Sequence, residues 1–136
     1  MTIVDKKKVL IVDDNDKSRK LLRVIFQKSG YATVEAKNGK EGVETARIER
    51  PHLILMDVRM PIMDGIKATR ILKDDPSTKD IPVIITTSSA MKGNHEKIAS
   101  EAGCDYYITK PLDMQGLLDT AKKILGGKKY EGRKKI

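Results

Sequence analysis

Leu53-Ile54-Leu55-Met56-Asp57-Val58-Arg59-Met60-Pro61 is a short apolar run that stops abruptly at a carboxylate. A strand buried on both faces reads as a continuous apolar run, because helices cover both sides of a parallel sheet. Asp64-Gly65 follows closely, and an Asp at a strand end turns the chain at little cost. Alone, Asp57 is a turn former. At the carboxyl edge of a parallel sheet it is a carboxylate at the mouth where open α/β sheets bind ligands. The rest of the chain decides between the two.

Two similar runs flank it, Val9-Leu10-Ile11-Val12 and Val83-Ile84-Ile85-Thr86, the latter after Ile81-Pro82. Pro is tolerated at the start of a strand. Tyr31 to Ala36 and Tyr106 to Thr109 mix apolar and polar residues, as strands nearer an edge do. Helical periodicity fills the gaps. Leu21, Leu22, Ile25 and Phe26 share a face of a first helix that Gly30 caps. Asn38 with Glu41 opens a second helix, with a thin face of Val43, Ala46 and Ile48. His52 enters the next strand with no partner visible in the sequence. Asp64-Gly65 opens a third helix, which ends at Asp74-Asp75-Pro76. A weaker fourth is expected from about Ala90 to Glu101, where Gly93 costs about 1 kcal/mol against Ala. The last is the clearest: Asp113 as cap, then Met114, Leu117, Leu118, Ala121, Ile124 and Leu125, with Gly126-Gly127 as stop. Five strands alternating with five helices predict an α/β fold, a parallel sheet covered on both faces. The runs at Val9, Leu53 and Val83 belong at its centre, the second and fifth strands at its edges.

A chain of 136 residues is long enough for one domain with a real core. Its largest apolar run falls well short of the roughly 20 residues of a membrane helix, and Met-Thr-Ile-Val-Asp-Lys-Lys-Lys has no apolar leader core. Cys104 is the single cysteine, so no internal disulfide forms and a reducing, cytoplasmic location is expected. Charge is concentrated at the ends. Residues 1–8, a short lead, carry a net +2 and residues 126–136 a net +4, leaving +2 for the body from a total of +8. A basic tail binds nucleic acid in some proteins but is more often a solvated, flexible segment, and only Tyr130 adds an aromatic to it.

Chemistry concentrates where strands end. The first strand ends in Asp13 and Asp14, the third in Asp57, the fourth in Thr87 and the fifth in Lys110. In a parallel sheet these ends lie on one edge. Carboxylates crowded together repel unless a cation joins them, and an all-oxygen set suits Mg²⁺. Thr87 adds a hydroxyl and Lys110 a mobile positive charge, so the set describes a site that places a phosphoryl group on Asp57. Each residue alone has a plainer role: a helix cap, a strand end, a loop charge. Their coincidence at successive strand ends is the signal.

With Asp13-Asp14-Asn15, Met56-Asp57 through Met60-Pro61 to Asp64-Gly65, Thr86-Thr87 and Tyr107-Ile108-Thr109-Lys110-Pro111 in place, residues 9–125 resemble the receiver domain of two-component response regulators, of the stand-alone, chemotaxis type. The resemblance implies a flavodoxin-like sheet of order 2-1-3-4-5 with five helices. It implies that Asp57 accepts a phosphoryl group from a histidine kinase. It implies Mg²⁺ (or Mn²⁺) on Asp14, Asp57 and the backbone carbonyl of Arg59, with Asp13 acting through water. It further implies that Thr87 and Tyr107 form a switch pair, that Lys110 pairs with the phosphate, that Lys110-Pro111 is cis, and that a downstream protein docks on the fourth helix, fifth strand and fifth helix. A monomer or a phosphorylation-dependent dimer fits this reading. Where the family commonly has Ala or Gly after the threonine, this chain has Ser88; Arg59 and Ser89 occupy positions where family members vary and tune dephosphorylation.

Other readings compete. The chain could be a phosphotransfer intermediate that passes phosphate to another histidine domain. An aspartyl-nucleophile phosphatase of the haloacid dehalogenase type needs a second Asp two residues after the nucleophile, and Arg59 stands there. The expectation is a phosphoacceptor rather than an enzyme. A flavodoxin needs aromatics around the flavin, and an acidic triad repels a flavin phosphate. Nucleic-acid binding through the tail remains the third class.

Overall fold

The computed structural model describes residues 6–87, 97, 101–126 and 134–135. Strands β1 (Lys8–Val12), β2 (Ala32–Ala36), β3 (Leu53–Asp57), β4 (Val83–Thr87), β5 (Tyr106–Thr109) and β6 (Lys134–Lys135) alternate with helices α1 (Asp16–Lys28), α2 (Gly39–Glu49), α3 (Gly65–Asp74) and α4 (Met114–Leu125). The sheet is parallel, in the order β2-β1-β3-β4-β5-β6. The expected order of five is therefore present, and β1, β3 and β4 lie inside it as their apolar runs require. Two expectations change. The helix expected from Ala90 to Glu101 lies mostly outside the described residues, although Lys97, Glu101 and Ala102 are helical; four helices, not five, are formed among the described residues. And β5 is not an outer strand, because Lys134 and Lys135 pair with Tyr106 and Tyr107. An uncovered edge presents unpaired backbone groups that a further strand can satisfy.

Strand pleat divides the core in two, since successive side chains point to opposite faces. Val9, Ile11, Leu53, Leu55, Ile84 and Ile108 pack with Leu22 and Phe26 of α1 and with Leu117 and Ala121 of α4. Leu10, Val12, Ile54, Met56, Val83 and Ile85 pack on the other side with Val43 and Ala46 of α2 and Ala68 and Leu72 of α3. That double burial is why the three central runs contain no polar alternation.

Helix ends follow local rules. Asn15, Asn38, Asp64 and Asp113 each accept a hydrogen bond from the backbone N–H three residues on, which satisfies one of the unpaired donors of each first turn. The cap of α1 is Ser29, with Gly30 one residue beyond at φ +96. Gly30 N–H donates to Gln27 O and Tyr31 N–H to Phe26 O, a Schellman closure in which the residue after the cap must be left-handed. The Phe26 and Tyr31 rings meet at 5.8 Å across it. Ile48, expected on the apolar face of α2, is 79% exposed: the helix packs through Gly42, Val43 and Ala46 instead. His52 does have a partner, because its Nδ1 accepts from Lys8 N–H at 3.0 Å. Cys104 is buried, as a small hydrophobe would be.

Candidate functional site

The site forms where β1, β3, β4 and β5 end on the same edge of the sheet. Pleat parity selects its members. Asp13 continues the face of Val9 and Ile11, Asp57 that of Leu53 and Leu55, Thr86 that of Ile84, and Lys110 that of Tyr106 and Ile108. The four residues thus converge on the α1/α4 side. Asp57 is almost fully buried, and its Oδ1 is the focus of the site. It accepts from Val58 N–H at 3.0 Å and from Thr86 Oγ1 at 3.4 Å, and lies 3.2 Å from Lys110 Nζ.

Asp13 is 3% exposed, whereas Asp14, one residue on, is exposed. One carboxylate oxygen from each of Asp13, Asp14 and Asp57 falls within 4.8 Å of the others. Asp13 is held in place on three sides: its Oδ1 accepts from Asn15 N–H at 2.9 Å, its carbonyl from Arg19 at 2.8 Å, and its N–H donates to Ala36 O at 3.1 Å. Arg19, itself buried, is tied in turn to Asp16 and Glu35. Burial pushes the Asp13 carboxyl above its usual range; Asp57 and Asp14 add to the rise, while Asn15 N–H and Lys110 oppose it. A buried carboxylate destabilised by two others is a place where a cation lowers the energy of all three. The donors are hard oxygens on rigid strand ends, with one exposed carboxylate on the open side, which fits a small divalent ion such as Mg²⁺ that keeps some of its water.

Lys110 Nζ reaches the site because the loop after β5 turns back on it. Lys110 N–H donates to Thr87 O at 2.7 Å, and Lys110-Pro111 is cis, as expected. Arg59 is exposed in the loop after β3. Thr87 is fully buried and follows Ile85, so it belongs to the opposite face of β4, where Tyr107 also packs. The pair expected to act together therefore shares a face, separate from the face of Asp57. The residue that the sequence reading missed is Thr86. It is the register partner of Asp57, and its hydroxyl bonds Asp57 directly. The strand period puts Thr86 and Thr87 on opposite faces of β4, but with both faces buried it is the pairing with β3 that sets Thr86 beside Asp57. A cavity of about 390 Å³ opens beside the site, lined by Asp13, Ser18, Thr86 and Lys110 together with the apolar Leu21, Leu22 and Met114.

The arrangement can hold a divalent cation and, next to it, an oxyanion balanced by Lys110. Residues 9–122 match the response regulator receiver domain. The chain belongs to this family. The receiver is 44% identical over 120 residues to the polar-differentiation response regulator DivK of Brucella anthropi, covering 88% of this chain and 97% of that one. Among solved structures it resembles the receiver domain of a signal transduction histidine kinase from Syntrophus aciditrophicus, with a TM-score of 0.83 and 36% identity over 92% of this chain and 94% of that one. It also resembles the receiver domain of a sensor histidine kinase from Pseudomonas aeruginosa, with a TM-score of 0.81 and 28% identity over 90% of this chain and 99% of that one. That protein was solved with a magnesium ion coordinated in its active site cleft.

Proposed function

We propose that this receiver is the phosphoacceptor of a two-component relay rather than a turnover enzyme, and that Asp57 takes the phosphoryl group of a histidine kinase. The supporting observation is the convergence of three carboxylates with Lys110 Nζ 3.2 Å from Asp57 Oδ1. A carboxylate oxygen of Asp57 attacks phosphorus, the phosphorus–nitrogen bond of the phosphohistidine breaks, and its electron pair stays on the imidazole. Mg²⁺ (or Mn²⁺), held by Asp14, Asp57 and the Arg59 carbonyl with Asp13 through water, would supply charge neutralisation for the phosphoryl oxygens. Lys110 exchanges its partner, leaving the Asp57 carboxylate for the more highly charged phosphoryl group. Thr87 draws toward the phosphoryl oxygens from the other face of β4, and Tyr107, packed on that face, fills the space it vacates. This local shift re-sets the face of β5 and α4, where a downstream protein docks; the fourth helix expected to share that face lies mostly outside the described residues. The reaction belongs in the cytoplasm; the described residues contain no helix long and apolar enough to cross a membrane.

Acetyl phosphate with Mg²⁺ tests the reading. An acid-stable, hydroxylamine-labile phosphoprotein is expected from the wild type and none from Asp57→Asn. Phosphorylation that persists in Asp57→Asn, or none in the wild type, overturns it.

A further inference from the structure

Among the described residues, Thr86 is the one hydroxyl placed on the same sheet face as Asp57 at the end of a neighbouring strand. It is 3% exposed, and its Oγ1 donates to Asp57 Oδ1 at 3.4 Å. Burying a hydroxyl is unfavourable unless it is hydrogen-bonded, and Asp57 is the partner that satisfies this one. Two residues earlier on the same face the strand carries Ile84, packed in the core. The hydroxyl therefore appears only where β4 reaches the carboxylate.

A donor on Oδ1 treats the two states of Asp57 differently. The free carboxylate carries a full charge shared by both oxygens. In the acyl phosphate that charge is gone from the carboxyl group, and a hydrogen bond to a neutral acyl oxygen is weaker than one to a carboxylate. During hydrolysis, water attacks phosphorus and the bond from phosphorus to the Asp57 oxygen breaks. Its electron pair returns to the carboxylate while the water yields a proton to the inorganic phosphate or solvent. Negative charge grows on the carboxyl group along this path, so a hydrogen bond to it strengthens on the way to the transition state. Val58 N–H is fixed by the backbone, and Lys110 is free to turn to the phosphoryl group. Among the described residues, the Thr86 hydroxyl is the side-chain donor that stays with the carboxyl group.

We propose that Thr86 is a positioning residue that speeds the departure of the Asp57 carboxylate from phosphorus and so sets the lifetime of the phosphorylated receiver. The inference rests on the phosphoacceptor reading of Asp57. The test is the decay of the wild-type, Thr86→Val and Thr86→Ser phosphoproteins, loaded with acetyl phosphate and Mg²⁺ and followed after removal of the donor. Val keeps the shape and removes the donor; Ser keeps the donor. The expected result is a lifetime about two- to fivefold longer in Thr86→Val, the range a single long hydrogen bond to a charged group supports, with Thr86→Ser close to the wild type. Thermal melting should show both variants fully folded at the temperature of the decay assay, so that loss of fold does not account for the change. An unchanged or shorter lifetime in Thr86→Val overturns the proposal, as does a Thr86→Ser protein that behaves like Thr86→Val. A wild type that takes no phosphate from acetyl phosphate refutes the phosphoacceptor reading itself, and the two failures are thereby told apart.

Discussion

Asp13 and Ile62 each carry a cost to the stability of the fold. The Asp13 carboxyl is raised chiefly by burial, so the folded chain holds its proton more tightly than the unfolded chain. The stabilisation that goes with this is complete below the ordinary aspartate value of 3.8 and is lost as pH rises through the higher folded value. At neutral pH the buried carboxyl therefore weakens the fold relative to acid pH. Asp13→Asn should raise Tm at pH 7, without added divalent ions, by about 2 to 5 °C, the range for roughly 1 kcal/mol in a domain of this size. Melting curves across pH check it: the wild type should close the gap as pH falls, and a variant that melts lower at pH 7 contradicts the account. Ile62 stands in the loop after β3 with φ +71 and 77% exposure. A β-branched residue in the left-handed region is strained, and its exposure means little packing offsets the strain. Ile62→Asn should stabilise by about 1 kcal/mol, measured by urea denaturation. A fall in stability would mean that the side chain packs on something that matters.

At the scale of elements, the junction between β3 and α3 decides whether Asp57 is presented correctly. Gly65 begins α3 with its N–H donating to Val58 O at 2.8 Å. A Cβ at Gly65 would collide with the Asp57 carbonyl oxygen and crowd the Met56 side chain. The collision is with backbone, which cannot turn aside as a side-chain tip does. Gly65→Ala should therefore destabilise by several kcal/mol, in the range of the severe single substitutions, and slow phosphorylation of Asp57 in the fraction that folds. Denaturation midpoints with acetyl-phosphate labelling read out both effects; a variant of native stability would show that the helix start is more yielding than its contacts imply. The first element has a comparable device. Arg19 reaches back from α1 to the Asp13 carbonyl while Glu35 of β2 holds its guanidinium. Two elements thus fix the strand end that carries the buried acid.

Over the whole molecule, much of this was legible in the chain. Three unbroken apolar runs marked strands buried on both faces, and the Asn and Asp caps marked helix starts, because both signals depend on neighbours in sequence. That Asp13, Asp14, Asp57 and Lys110 gather at one edge was readable for a similar reason: each ends a strand, and parallel strands end together. Ile48 was misplaced because α2 is thin, and a face of small residues leaves the weaker apolar periodicity free to point outward. His52 looked partnerless because its partner, Lys8 N–H, lies on another strand. The sixth strand had no signal, since a strand ladder pairs through backbone groups, whatever the side chains, and two lysines carry no strand pattern.

The sequence by itself determined the fold class, the strand ends and the acids that gather there, since all of these follow from local periodicity and chain direction. Only the tertiary structure decided which hydroxyl meets Asp57. Thr86 and Thr87 are equivalent as neighbours in a chain, but they face opposite sides of β4, and the pairing of β4 with β3 sets Thr86 beside Asp57. Register and face are properties of strands in contact, and a shift of one residue would exchange the two threonines.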